Sequence, residues 1–503
     1  MARRAKSAVL PTSLRRSRRA SVPENLWATD GGVYFGHRIL PDQASHDRSL
    51  LDEPWNVVHD KFHRYTSDRH LVTVGPNGSG KTRRLLIPNL IFLKNWSVLV
   101  VDPKGTLAAL TGPYRESQHP NSVMVIDPFG VLEREYPALV KRYPFLKSAG
   151  FNPVAALDPE SDDFPDDARG LAEAIIRVED KNQPHWERSA QDLVSGLMMC
   201  DRIENGPESS LVAVRDWVGA EAGTLAREIK ENLIPLAHGK HDAIPAKLNR
   251  FTKMSSENRE LFSILSTAQT QTAWLDSLSI RRDLSKGAVD FGRMKYEPMT
   301  VYLILPPRYL ATHSTWLRLM VTAVLQPLMR SVRPATVPVL LMLDEFAQLG
   351  HLPVIENNLA LMREYGVKLW PVFQDLAQAE DIYKTRWESF ISNAGVLQTF
   401  APQDVTTRKY LSELSGQRLY WLETTSRSTS ANSGPQLATT RGTQEGWQNL
   451  SGPVYWAQGL AAMQDGQAIL FARGRAPRTW LPDPSEISDI QSVLSRALSE
   501  MKH

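Results

Sequence analysis

The chain has 503 residues, 42% apolar and 22% charged, which is the balance of an ordinary globular protein with more than one structural unit and excludes a fibrous or wholly disordered chain. Its one cysteine, Cys200, excludes an intrachain disulfide and a multi-cysteine zinc site. No apolar stretch approaches the roughly 20 residues that cross a bilayer, so a soluble protein is expected.

The first 20 residues hold seven Lys/Arg and no acid, which turns an overall net charge of +3 into −4 for residues 21 to 503. This start lacks the apolar core of a secretory or twin-arginine signal, although a transit peptide is also Arg-rich and acid-free. Residues 1–25 read as a basic disordered tail. Two readings of it stand: an arm that touches nucleic acid, anionic lipid or a partner, or a solvated segment.

From Arg69 onward, short β-branched runs alternate with helical stretches: HLVTV, a Gly-rich turn and helix, SVLVVD, a helix, SVMVID. Such alternation predicts a parallel sheet with crossover helices, an α/β domain whose first part is residues 26–161. Between about Asp162 and Ser285 the period becomes helical, as in WERSAQDLVSGLMMCDRI, so an inserted all-α domain is assigned to 162–290. There Cys200, Trp186 and Trp217 read as core. Strands resume with TVYLILPP, VPVLLMLDEF, VKLWPVFQ and VLQTFAP, giving the second part of the sheet domain within 291–503. Residues 424–449 are polar, rich in Ser, Thr and Gly, and aperiodic, which predicts a mobile loop.

Gly75-Pro76-Asn77-Gly78-Ser79-Gly80-Lys81-Thr82 matches G-x-x-x-x-G-K-[ST] between a strand-like run and a helical one. In such a loop the glycines let backbone N–H groups curl around the β-phosphate and the helix N-terminus adds its positive end. Lys81 reaches the β/γ oxygens and Thr82 offers a hydroxyl to Mg²⁺. The expected cofactors are therefore ATP and Mg²⁺. The apolar run Val339–Leu343 delivers Asp344 and Glu345 to a strand end. Asp344 is the expected Mg²⁺ holder, through water, and Glu345 the group that orients or deprotonates the attacking water. Val98–Val101 also ends in a carboxylate, Asp102, but no second acid follows it. Asp102 and Lys104 read as lining the same sheet edge, and Asp127 as a strand-end turn residue. Gln374, after VKLWPVF, is a candidate sensor of the nucleotide state. His185 and His351 have no companion ligands at metal spacing and read as structural.

GPNGSGKT, VVDPKGTL, VMVIDPFG, Phe151-Asn152-Pro153, WERSAQDLVSGL, VYLILPP, LMLDEFAQLGHLP and VKLWPVFQDLAQ, in this order, resemble the TraG/TraD type of coupling protein from conjugation and type IV secretion. The resemblance covers about Gly32 to Leu481. It implies a RecA-like P-loop motor with an inserted all-α domain that selects substrates, and a ring of six subunits. It also implies ATP-driven transfer of single-stranded DNA with its relaxase, or of effector proteins, into a secretion channel; from the residues themselves, Lys/Arg contacts to phosphate without a base-reading motif predict no sequence preference for the DNA. The chain departs from the family in three respects: it has no transmembrane helices, Thr106 stands where an acid is usual, and the pattern around Trp456-Ala457-Gln458 is altered. The missing helices put membrane anchoring in doubt: a cytoplasmic protein is expected, peripheral at the cytoplasmic face of the inner membrane where a membrane-anchored partner holds it.

Pro353 can open a helix in which Leu352, Ile355, Leu359 and Met362 form one stripe before a Gly366 stop. Arg363 then points about 100° off that stripe. The resemblance implies that it is the finger entering a neighbour's ATP site, whereas position alone also allows a helix C-terminal cap. Two other functions fit part of this pattern: a cytosolic DNA-pumping ATPase resembling FtsK or HerA, and a non-hydrolysing adaptor that recruits substrates.

Overall fold

The computed structural model describes residues 32–40, 56–178, 184–237, 241–253, 258–333, 335–431, 439–472 and 478–501. The basic tail at 1–25 lies outside the described residues. In chain order the strands are β1 (Val33–Leu40), β2 (Asn56–Tyr65), β3 (His70–Val74), β4 (Ser97–Val101), β5 (Val123–Ile126), β6 (Thr300–Leu303) and β7 (Val339–Leu343). β8 (Val367–Phe373), β9 (Ala394–Thr399), β10 (Gln417–Ala431), β11 (Thr439–Pro453), β12 (Gln467–Phe471) and β13 (Arg478–Trp480) follow.

The continuous apolar runs become strands buried on both faces because helices cover the sheet on either side. Along β4, Val98 and Val100 join one core, while Leu99 and Val101 join the other; in β7, Leu340 and Met342 face the first and Leu341 and Leu343 the second. The sheet order is β2-β1-β13-β12-β9-β3-β8-β7-β4-β6-β5. From β9 to β5 the pairs are parallel, whereas β12, β13, β1 and β2 extend the sheet as an antiparallel wing. The wing was not anticipated from sequence.

Between β5 and β6 the chain is helical. The 21-residue helix His185–Asn205 buries Leu193, Val194, Leu197, Met198 and Cys200, and it packs against helices Phe164–Ile175, Ala243–Leu248 and Arg259–Thr272. Burial pushes the Cys200 thiol up to about 12, so it stays protonated and inert. This helical core is continuous with one face of the sheet. Trp186 and Trp217 are partly buried against it. His185 pairs with Glu260 and His351 with Glu356. Among the described residues, no group of three or more His, Cys, Asp or Glu could hold a metal, and no helix is long and apolar enough to cross a membrane.

The segment 424–449, expected to be an aperiodic loop, belongs for the most part to a two-stranded antiparallel ribbon. β10 and β11 pair in unbroken register from Gln417–Pro453 to Ala431–Thr439. Threonine favours extended backbone through its β-branch, and a strand polar on both faces carries no hydrophobic alternation to betray it.

Candidate active site

The P-loop is the turn that follows β3. Gly78 (φ 81°) and Gly80 (φ 84°) adopt left-handed backbone that a side chain would strain, and nothing lies within 4 Å of where a Gly78 Cβ would be. Gly75 N–H donates to Phe373 O at 3.0 Å, which ties the loop to the end of β8. A π-helical turn, Lys81–Leu86, then leads into helix Ile87–Phe92. The Lys81 ammonium is buried and donates to the carbonyls of Gly75 and Pro76, the latter at 3.0 Å. Burial lowers its pKa, opposed by the charges of Asp344 and Glu345. Ser79 Oγ is buried without a hydrogen-bond partner among the described residues.

β7 lies two strands from β3 and carries the carboxylates to the same edge. Thr82 Oγ1 donates to Asp344 Oδ2 at 3.2 Å, so a hydroxyl and a carboxylate, oxygen donors that would hold a magnesium ion, come together here. Asp344 is buried, and its pKa is raised first by that burial and then by the neighbouring Glu345 charge. Glu345 takes a left-handed conformation (φ 54°) rare for a residue with a side chain, a strain of the kind that clusters at functional sites. Gln374 Nε2 donates to Glu345 Oε2 at 2.7 Å. Behind it, Asp375 Oδ1 accepts from Gln378 N–H at 2.9 Å and caps helix Leu376–Tyr383, which fixes where Gln374 leaves β8.

Asp102 sits at the end of β4, the strand beside β7, and is fully enclosed. Burial, with a contribution from the Asp344 charge, pushes it up to about 7, while Ala108 N–H donates to its Oδ2 at 2.9 Å. That bond makes it the anchor of helix Thr106–Gln118. Lys104 is exposed. Asp127 likewise accepts from Leu132 N–H at 2.9 Å and holds the turn after β5.

Arg363 stands apart from this cluster. The helix opened by Pro353 ends at Asn358, and irregular turns carry the chain to Gly366, although Leu352, Ile355, Leu359 and Met362 are all buried as the stripe required. Arg363 is therefore five residues beyond the helix and does not cap it. Its Nε lies 3.1 Å from Asp68 Oδ2. Asp68 precedes β3 and Arg363 precedes β8, so both occupy the N-terminal edge of neighbouring strands, ~17 Å of strand away from the P-loop. Within one chain, Arg363 cannot touch a nucleotide held by Lys81. Asp68 carried no signal in the sequence, since an acid before a strand is commonplace.

Residues 27–479 match the family described as Type IV secretory system Conjugative DNA transfer. The chain belongs to that family. Conjugal transfer protein TraG from Escherichia coli is 26% identical over 386 residues, covering 72% of this chain and 58% of TraG. VirD4 from Agrobacterium fabrum is 26% identical over 370 residues, covering 71% of this chain and 51% of VirD4. The chain thus spans little more than half the length of these curated relatives. The structure of the bacterial conjugative coupling protein TrwBdeltaN70 superposes with a TM-score of 0.60 at 15% identity, covering 92% of this chain and 96% of that one. That likeness is one of fold alone.

Proposed function

We propose that the chain is an ATP-hydrolysing coupling motor that recruits single-stranded DNA with its relaxase, or an effector protein, to a type IV secretion channel. The observation that carries this reading is the convergence of Lys81, Thr82, Asp344, Glu345 and Gln374 at one sheet edge, linked by the Thr82–Asp344 and Gln374–Glu345 bonds. The site fits a magnesium nucleotide: a left-handed glycine with open space at Gly78, an unpartnered buried Ser79 hydroxyl, and a cation opposite two carboxylates. TrwB, which shares the fold, was solved with ADP and Mg²⁺.

In this reading the backbone N–H groups of residues 75–82 hold the phosphates and Lys81 offsets their charge. Thr82 and Asp344 hold Mg²⁺, which would neutralise charge building on the β- and γ-phosphate oxygens. Glu345, aimed by Gln374, accepts a proton from water. Arg363 completes the site of a neighbouring copy in a six-membered ring. The helical segment at 162–290 faces the substrate, and a membrane-anchored partner holds the ring at the cytoplasmic face.

Steady-state phosphate release, measured with and without single-stranded DNA at concentrations that permit rings, tests the proposal. DNA-stimulated turnover is expected. Nucleotide binding without turnover in assembled rings would make the protein an adaptor instead.

A further inference from the structure

We infer that Asp68 is a positioning residue for Arg363, its carboxylate pairing with the guanidinium so that the arginine is held at this sheet edge for phosphate oxygens presented by a neighbouring copy. The inference rests on the reading of Arg363 as a group acting in trans.

Asp68 Oδ2 lies 3.1 Å from Arg363 Nε as an ion pair without hydrogen-bond alignment, and no hydrogen-bond partner for the guanidinium is present among the described residues. A guanidinium binds phosphate through a fork of parallel N–H groups. None of the Arg363 N–H groups is committed to a hydrogen bond among the described residues, so the fork is open to a phosphate while the Asp68 charge keeps it at this edge. Asp68 is itself oriented, since its Oδ1 accepts from Ser67 Oγ at 3.2 Å. Lys368, whose ammonium sits 4.4 Å over the Trp96 ring, adds a second positive charge near the Asp68 carboxylate.

The backbone beneath Arg363 is fixed from the same place. His70 Nε2 donates to Leu359 O at 2.6 Å, and Leu369 N–H donates to His70 Nδ1 at 3.0 Å. One imidazole thus ties the start of the irregular segment, at Leu359, and the third residue of β8, Leu369, to the first residue of β3. Turn and side chain are both preset by the two residues 68 and 70. The ion pair is open to water, with side-chain exposures of 46% for Arg363 and 64% for Asp68. Exposed pairs of this kind add little stability, so orientation is the larger contribution available to Asp68.

The test uses the full chain at ring-forming concentration, with Asp68→Ala, Asp68→Asn, Arg363→Ala and the double variant Asp68→Ala/Arg363→Ala. Steady-state kcat, KM for ATP and oligomeric state by sedimentation are measured. Asp68→Ala is expected to lower kcat by up to ~10²-fold, the order of loss that a misplaced catalytic group produces, with KM and assembly unchanged. Asp68→Asn, which keeps the size and removes the charge, should lose as much rate as Asp68→Ala, because the pair is held by charge. The double variant should be no slower than Arg363→Ala, because Asp68 acts only through the arginine. Wild-type kcat in Asp68→Ala beside an inactive Arg363→Ala would overturn the positioning role alone. A raised kcat in Asp68→Ala would also overturn it, making Asp68 a restraint on the arginine. Loss of assembly in both Asp68 variants would make Asp68 an interface residue instead. Full activity in Arg363→Ala would remove the trans reading and this inference with it.

Discussion

Gln374 Nε2 donates to Glu345 Oε2 at 2.7 Å, joining the ends of two adjacent strands through their side chains alone. An acceptor of a water proton must keep one carboxylate oxygen free and aimed, and the amide secures the other.

Glu345→Gln should therefore bind ATP with near wild-type affinity yet turn it over ~10²–10⁴-fold more slowly, the usual worth of a positioned base. Gln374→Ala leaves the base in place but unaimed, and should show a smaller loss in kcat. Fluorescent-nucleotide binding alongside phosphate release separates the two effects. Equal turnover in Glu345→Gln and wild type would remove the base assignment.

Lys81→Ala should abolish turnover because the phosphates lose their buried charge partner. Arg363→Ala should also be inactive, by the ~10³–10⁵ that such fingers contribute elsewhere. Since Arg363 stands at the sheet edge opposite its own P-loop, mixing the two dead proteins should restore part of the activity. No recovery on mixing, with subunit exchange verified, would count against action in trans.

His70 links folding to pH. Burial holds its pKa below the ordinary value, and its ring uses both nitrogens while neutral. A depressed pKa means that the folded state resists protonation. Its contribution is therefore complete above the unfolded value of about 6.5 and is lost as pH falls through the folded one. Thermal melts from about pH 7 down to about pH 5 should show Tm falling more steeply in wild type than in His70→Gln. The variant should also be less stable at neutral pH by ~1–3 kcal/mol, from a backbone group left unpaired. Parallel Tm profiles would show that His70 does not titrate with unfolding.

Binding to single-stranded DNA should be indifferent to sequence and fall steeply with salt, as lysine and arginine contacts to phosphate dictate. Removal of residues 2 to 20, which lie outside the described residues, should weaken it and flatten the salt slope. Unchanged affinity and slope in fluorescence anisotropy would mean that this arm makes no DNA contact.

Much of the fold was legible because its central strands announce themselves. Val98–Val101 and Val339–Leu343 are apolar at every position, a pattern that only two-sided burial supports. The site was legible where local spacing fixes it, at residues 75–82 and at Asp344-Glu345. The antiparallel wing was not, because β13 is three residues long and its pairing with β1, which in turn carries β2, spans the length of the chain. The helix from Pro353 stops early although its apolar stripe continues, since burial of Leu359 and Met362 is satisfied equally by turns. The Asp68–Arg363 pair was invisible for the same reason as the wing: nothing local connects residues so far apart.

The position of β3 has a consequence for synthesis. Its neighbours β8 and β9 begin at residues 367 and 394, so the P-loop strand leaves the ribosome about 290 residues before the first of them exists. At 5–20 residues per second this strand waits roughly 15–60 s with both edges open. The all-helical segment between has time to fold first and can hold the two halves of the chain together, whereas a fragment ending before residue 367 would display an apolar strand with no place to dock, and is expected to aggregate.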